Sequence, residues 1–206
     1  MKTVTLVFLA FWSLFILPLT TPYPKKFNYS VDEEKSVVEW TGASPNTAHQ
    51  GSFAVTSEGI EVIDGQLKGG TFVIPIASIK NYDLPKTIKP VLLKHLKSKD
   101  FFNIALYPEA KFTLTNIAPL SNIVEGAVEG ANVMVTGSFT LIGNTHTISF
   151  PARLDLQENA LAVEATFKLN RIQWGMTYAA DPKLKNRHIF PEVDIHLKVS
   201  GVRNEG

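Results

Sequence analysis

The chain of 206 residues contains no cysteine. This absence excludes disulfides, thiolate metal sites, a cysteine nucleophile and a lipid anchor on an N-terminal cysteine. An excess of charge of one sign is also missing, because 20 Lys and Arg residues stand against 19 Asp and Glu residues, a formal net charge of +1. A dedicated nucleic-acid binder needs a basic patch that neutralises several phosphates, so we expect no nucleic acid as a partner.

Patterns that carry catalysis or bind metals are missing as well. The sequence has no H-E-x-x-H, no G-x-S-x-G and no glycine-rich phosphate loop that opens a helix. The five histidines have no partner at i+2 or i+4: His49, His95, His146, His188 and His196. We therefore predict no enzyme activity, no metal site and no cofactor. An enzyme on this scaffold would need His95 to meet a carboxylate such as Asp100 or Asp181.

The N-terminus has the pattern of a secretory signal peptide. Lys2 precedes an apolar run over residues 4–17, which ends at Pro18. A cationic start, a short apolar stretch and a polar exit are typical of such peptides, and the run is shorter than the roughly 20 residues of a membrane-spanning helix. We predict a signal peptide over residues 1–23 and an exported domain over residues 24–206, periplasmic or secreted and not stably inserted in a membrane.

Beyond Phe27 the hydrophobic period is two, which predicts β-strands with one buried and one exposed face. The alternation is clear in residues 133–141, 146–156, 161–169 and 193–199. Eight or nine such strands follow one another. This number suits either a closed barrel or a two-sheet sandwich.

Short turn signals separate these strands and favour antiparallel pairing of neighbours. The predicted turns are Glu58-Gly59, Asp64-Gly65, Gly143-Asn144 and Glu158-Asn159.

One segment departs from the strand pattern. In residues 87–97 the apolar positions Ile88, Val91, Leu92 and Leu96 are spaced like one face of a short helix, with Pro90 in its first turn. The whole insertion, roughly residues 78–108, is long for a connection in a β-protein. Long ordered connections often cover a cavity or carry function.

An eight-stranded barrel either fills its interior with side chains or holds one small ligand. Two functions therefore stay open on the pattern alone. One is a carrier of an apolar ligand, and the other is a stress-related structural or interaction barrel with a filled interior.

Five motifs, in this order, resemble the YceI-like, polyisoprenoid-binding family. They are V-E-W-T-G at 38–42, H-L-K-S-K-D-F-F-N at 95–103, Y-P-E-A-K-F at 107–112, G-S-F-T-L-I-G at 137–143 and N-R-I-Q-W-G at 170–175. The resemblance covers residues 38–199. Asn103 stands where the family often has Asp, Trp174 stands where Phe or Tyr is usual, and residues 181–187 match no family motif.

The resemblance implies an all-β fold, an extended eight-stranded antiparallel lipocalin-like barrel with a short helical insertion. It also implies an exported bacterial protein, without enzymatic activity, that encloses an isoprenoid-type lipid such as a polyprenyl chain or a quinone. The expected ligand contacts are Val38, Trp40, Phe53, Phe72, Ile74, His95, Leu96, Phe101, Phe102, Phe112, Leu114, Val135, Phe139, Phe150, Phe167, Arg171, Trp174 and Ile195.

Two of these residues are polar groups expected at the mouth of the barrel. His95 and Arg171 would orient the headgroup of the lipid, although a salt bridge or a carbonyl contact at the strand end explains Arg171 equally well. The outer strand faces, rich in Thr and Ser, neither require nor exclude a homodimer.

Overall fold

The structure is a computed structural model that describes residues 23–205. The predicted signal peptide lies outside the described residues, except for Tyr23. Within residues 23–205, no helix is both long enough and apolar enough to cross a membrane. The strands are β1 Lys26–Val31, β2 Val37–Ala43, β3 Ala48–Phe53, β4 Thr56–Ile63, β5 Gln66–Pro75, β6 Lys80–Asn81, β7 Glu109–Pro119, β8 Val133–Leu141, β9 Asn144–Leu156, β10 Ala160–Asn170 and β11 Glu192–Arg203, and the α-helix is α1 Lys89–Leu96.

Eight strands close into an antiparallel barrel, which confirms the predicted fold and excludes the two-sheet sandwich. Their order is β1-β4-β5-β7-β8-β9-β10-β11, and β11 pairs back with β1. Residues 23–205 form eleven strands, two or three more than the eight or nine predicted, and β2, β3 and the two-residue β6 extend the sheet beyond β11.

The period of two is confirmed in the strands that show it best. In β10, Leu161 and Ala165 are buried inside the barrel, while Lys168 points outward and pairs with Asp194 of β11 at 2.7 Å. Glu164, also on the outer face, bonds His196 at 2.9 Å. That hydrogen bond from His196 lowers the pKa of Glu164.

The turn predictions are right at two hairpins and displaced at a third. Glu158 and Asn159 lie in the connection between β9 and β10, as predicted. Asp64 and Gly65 connect β4 to β5 with φ angles of 50° and 72°, as a primed turn requires. The turn between β8 and β9 consists of Ile142 and Gly143 instead, with φ angles of 41° and 79°. Asn144 begins β9 because it pairs with Leu141 of β8, and its side chain donates a hydrogen bond to the Trp174 carbonyl at 2.8 Å.

The Glu58-Gly59 turn prediction is wrong. Both residues lie inside β4, where the register against β5 shifts between Ser57 and Gly59. Gly59 has a φ of 133°, a conformation that L side chains rarely adopt. Glu58 and Gly59 therefore form a β-bulge, which bends the strand without reversing it.

Gly137 lets β7 and β8 approach in the barrel wall. A Cβ atom there would lie 2.3 Å from the ring of Phe112 and 2.6 Å from the backbone oxygen of Thr113. The missing side chain therefore makes room for Phe112 on the inner face.

We expect Gly137→Ala to lower the free energy of unfolding by roughly 1–3 kcal/mol, because the clash includes backbone that cannot move freely. Denaturant unfolding measures the change. Gly42→Ala is the matched control in a strand, since a Cβ there meets no atom within 4 Å. Equal stability of the two variants would contradict this account of Gly137.

The insertion between β5 and β7 forms a cap at one end of the barrel. Pro90 lies in the first turn of α1, as predicted. The predicted apolar face is only half right, because Ile88 and Val91 are 52% and 68% exposed. Leu93 packs against the core in their place, so the helix is rotated from the face that spacing alone indicated.

Asp83 ties the start of this insertion to β3. Its carboxylate accepts hydrogen bonds from the Gln50 backbone at 2.8 Å and the Asn81 side chain at 2.7 Å, and it contacts His49 Nδ1 at 2.7 Å. Burial raises the pKa of Asp83, but the bonds from Gln50, His49 and Asn81 outweigh it and lower the pKa to about 2.

Because the folded pKa lies below the usual 3.8, the Asp83 carboxylate stabilises the protein fully above about pH 3.8. This contribution is lost as the pH falls from there towards 2. We expect Asp83→Asn to be less stable than the parent at neutral pH and to lose less stability across this window. Denaturant unfolding at a series of pH values measures both. Parallel pH profiles for the two proteins would refute the assignment.

Candidate ligand cavity

A cavity of about 290 Å³ lies inside the barrel. All but two of the predicted ligand contacts line it: Val38, Trp40, Phe53, Phe72, Ile74, Leu96, Phe101, Phe102, Phe112, Leu114, Val135, Phe139, Phe150, Phe167, Arg171 and Ile195. Among residues 23–205, only His49 and Arg171 contribute ionisable side chains to the wall. Contact with a ligand stays a prediction for each of these residues.

Four phenylalanines form a continuous row along the wall. Phe72 on β5 contacts Phe112 on β7, with ring centroids 6.4 Å apart, and Phe112 contacts Phe150 on β9 at 5.7 Å. Phe150 stacks on Phe167 of β10 at 4.4 Å. Rings from four strands therefore give this part of the cavity a non-polar wall.

Buried side chains plug the end of the barrel where the loop between β9 and β10 lies. Tyr29, Ile60, Val62 and Leu161 are each at most 2% exposed, and none of them lines the cavity. The Tyr29 hydroxyl donates to backbone carbonyls of the loop between β9 and β10. At the other end Phe190 both lines the cavity and is 40% exposed, which places the mouth there.

Arg171 holds the loop over residues 176–190, which forms part of the mouth. The residue is 3% exposed, and its guanidinium donates hydrogen bonds to four backbone carbonyls. The acceptors are Met176, Tyr178, Ile189 and Phe190. Burial lowers the pKa of Arg171. The sequence left open a salt bridge or a carbonyl contact for Arg171, and these bonds are carbonyl contacts. No carboxylate of residues 23–205 forms an ion pair with Arg171.

We expect Arg171→Met to release this loop, because each hydrogen bond to a charged group contributes about 1.5–3 kcal/mol. Trypsin should then cleave faster at Lys183, Lys185 and Arg187, which all lie in the loop. Arg153→Met, which removes an arginine from the outer face, is the control. Unchanged cleavage in Arg171→Met, in protein shown to be folded by circular dichroism, would contradict this role.

His95 and Trp174 do not line the cavity. His95 on α1 turns towards Asp100, with Nε2 to Oδ2 at 3.2 Å, and its ring packs edge-on against Tyr178. Trp174 is 1% exposed within a buried hydrophobic cluster, where its indole N–H donates to the Phe139 carbonyl at 3.0 Å. Its ring also packs against Phe139, so Trp174 supports this residue of the cavity wall.

The His95–Asp100 pair is within the hydrogen-bond reach that an enzyme on this scaffold would need. Among residues 23–205, no hydroxyl forms a hydrogen bond with the His95 ring, and neither His95 nor Asp100 lines the cavity. No group of three or more His, Asp or Glu side chains in the same range could hold a metal ion.

Several residues that line the cavity were not among the predicted ligand contacts. Ile148, Leu154, Val163, Leu169 and Leu197 follow the same alternation as the predicted residues and could have been found from it. Met176, Ile189 and Phe190 come from the 176–190 loop, which has no periodic pattern. Tertiary contacts bring that loop to the mouth, among them its four carbonyl bonds from Arg171.

Fold and cavity together define a lipocalin-like barrel with an apolar interior, the class of β-barrel that encloses one small ligand. A family model described as the YceI-like domain matches residues 29–200. The chain belongs to the YceI-like family.

Relatives in sequence cover part of the chain. A UPF0312 protein of Photorhabdus laumondii is 31% identical over 118 residues, and Protein YceI of Salmonella arizonae is 28% identical over 118 residues. Each match covers 54% of both chains. The chain thus spans about half the length of the curated relatives it matches.

Solved structures are similar over more of the chain. BcnA of Burkholderia cenocepacia aligns with a TM-score of 0.64 and 19% identity, over 82% of this chain and 98% of that one. A polyisoprenoid binding domain from Saccharophagus degradans, implicated in plant cell wall breakdown, aligns with a TM-score of 0.62 and 12% identity, over 86% and 99%. At these identities the likeness shows the fold.

Proposed function

We propose that this protein is an exported carrier or storage protein that binds an isoprenoid-type lipid, a polyprenyl chain or a quinone, inside its barrel without catalysing a reaction. The observation that carries the proposal is the enclosed cavity with its apolar wall. The similarity to a polyisoprenoid binding domain supports the choice of lipid. Export to the periplasm or medium rests on the signal-peptide pattern of residues 1–23.

Burial of an isoprenoid chain supplies the binding energy without any specialised residue. Each buried methylene-sized group contributes about 0.8 kcal/mol. The cavity lies at the lower end of the roughly 300–1,000 Å³ found for ligand pockets. We therefore expect it to hold part of a chain, with the headgroup and the rest of the lipid at the mouth.

We expect Arg171 to donate a hydrogen bond to the lipid headgroup at the mouth. A guanidinium has five N–H donors, and the four carbonyls of the 176–190 loop accept one each. One N–H is left on Nη1, on a cation that forms part of the cavity wall. An oxygen of a quinone or a phosphate is a suitable acceptor for it.

The alternative of a filled barrel is disfavoured by the cavity itself. A structural barrel with a filled interior has no void, whereas here Leu96, Phe101 and Phe102 of the insertion line a cavity that continues past them into the barrel. A catalytic function is disfavoured because the His95–Asp100 pair lies outside the cavity.

The proposal is tested by mild purification from the native host, solvent extraction and mass spectrometry. A stoichiometric isoprenoid lipid would support the proposal and identify the cargo. An empty, monodisperse protein that takes up no added prenyl lipid would refute it, and the family resemblance would then concern the fold alone.

A matched pair of variants tests whether the lipid lies inside the barrel. Val163 lines the cavity, and its neighbour Ala162 is exposed on the outer face of the same strand. We expect Val163→Trp to fill the cavity and lower the lipid recovered per protein at least tenfold, and Ala162→Trp to leave it unchanged. Extraction of both variants, after circular dichroism shows them folded, measures the difference. Equal retention would place the lipid elsewhere.

A further inference from the structure

The segment that caps the mouth carries a concentrated positive charge, although the chain as a whole is nearly neutral. Residues 84–99, here called the cap segment, contain five lysines and no Asp or Glu. The lysines are Lys86, Lys89, Lys94, Lys97 and Lys99. The cap segment therefore presents a local charge of opposite sign to an anionic surface.

These lysines differ from the lysines on the barrel wall. Five lysines elsewhere in residues 23–205 form ion pairs: Lys26, Lys35, Lys111, Lys168 and Lys198. No lysine of the cap segment has a carboxylate within ion-pair distance among the described residues, and the Lys97 ammonium donates to the Ala77 carbonyl instead. The charge of the cap segment is thus not neutralised by the protein itself.

Apolar side chains accompany this charge on the outside of the cap. Ile88 and Val91 are 52% and 68% exposed and lie three residues apart, on one side of the first helical turn. Further along the same helix, Leu92 and Leu96 line the cavity. The cap segment therefore combines a helix that lines the cavity, two exposed apolar side chains and five lysines without ion-pair partners in residues 23–205.

A second basic segment lies beside the first. The 176–190 loop contributes Lys183, Lys185 and Arg187, and its Tyr178 packs against His95 of α1 with ring centroids 4.8 Å apart. None of these three cations forms an ion pair within residues 23–205. Both segments that form the mouth are thus basic on their outer side.

We propose that the cap segment docks the mouth of the barrel on an anionic lipid bilayer, with the lysines on the lipid phosphates and Ile88 and Val91 in the interface. Lysines near an anionic membrane each strengthen binding by about fivefold, and an amphipathic helix lies in the plane of the interface. Two exposed apolar side chains are too few for permanent insertion, so docking is reversible. The cavity then opens towards the lipid that it would load or release.

The test is flotation of the purified protein with vesicles of phosphatidylcholine, with and without phosphatidylglycerol. We expect binding only to the anionic vesicles, weakened by added salt because salt screens exposed charges. Reversal of two exposed cap lysines, in Lys86→Glu/Lys94→Glu, should lower binding by at least about 25-fold, two fivefold steps. No cargo is needed, so the result is independent of whether the lipid inside is an isoprenoid.

A control with the same change in net charge separates the cap segment from general attraction. Lys25→Glu/Lys68→Glu alters two exposed lysines near the plugged end of the barrel, neither of them in an ion pair within residues 23–205. We expect this variant to bind like the parent. Both double variants keep the apolar residues 4–17, so a difference in binding between them reports the cap segment. Equal loss in the two double variants, or no binding to anionic vesicles by the parent, would overturn the proposal.

The apolar contribution has its own matched pair. Val91→Ser should weaken binding to anionic vesicles severalfold and keep its salt dependence. Val202→Ser, which changes a 47% exposed valine in β11 near the plugged end, should have no effect. An unchanged affinity of Val91→Ser would contradict insertion of the helix into the interface, and retention of the protein by an acidic protein column but not by vesicles would refute a membrane partner.

Discussion

Strand β11 closes the barrel, and the cavity depends on that closure. Along its length β11 bonds to β10 on one side, and to β2 and then β1 on the other. Because its last residues reach β1, the sheet has no open edge at that end, and every second side chain of eight strands faces the same enclosed space. The plug around Tyr29 and the cavity above it both follow from this geometry.

What fills that space decides the function more than any single reactive group does. The phenylalanine row and the aliphatic side chains leave a void with an apolar wall, while the polar atoms are used for structure. Arg171 donates four hydrogen bonds to the 176–190 loop, and the Trp174 N–H donates to the Phe139 carbonyl. A wall of this kind offers shape and hydrophobicity rather than reactive groups, as the proposed carrier function requires.

The barrel wall and the mouth differ in how their charges are paired, which the net charge of the chain does not show. On the outer barrel wall, groups such as Lys168, Arg153 and His196 meet carboxylates on neighbouring strands. At the mouth, the lysines of the cap segment have no such partners within residues 23–205. An overall charge of +1 therefore coexists with a basic surface next to the cavity.

The alternation of residues such as Leu161, Phe167 and Ile195 determined the strands and their inner faces, because a strand exposes successive side chains on opposite sides. For the same reason most of the cavity wall could be named in advance. Sequence alone could not determine that the barrel keeps a void, that α1 buries Leu93 and exposes Val91, or that His95 turns away to Asp100. These outcomes depend on which distant segments meet, and only the tertiary structure decides that, since a local pattern specifies a face but not what packs against it.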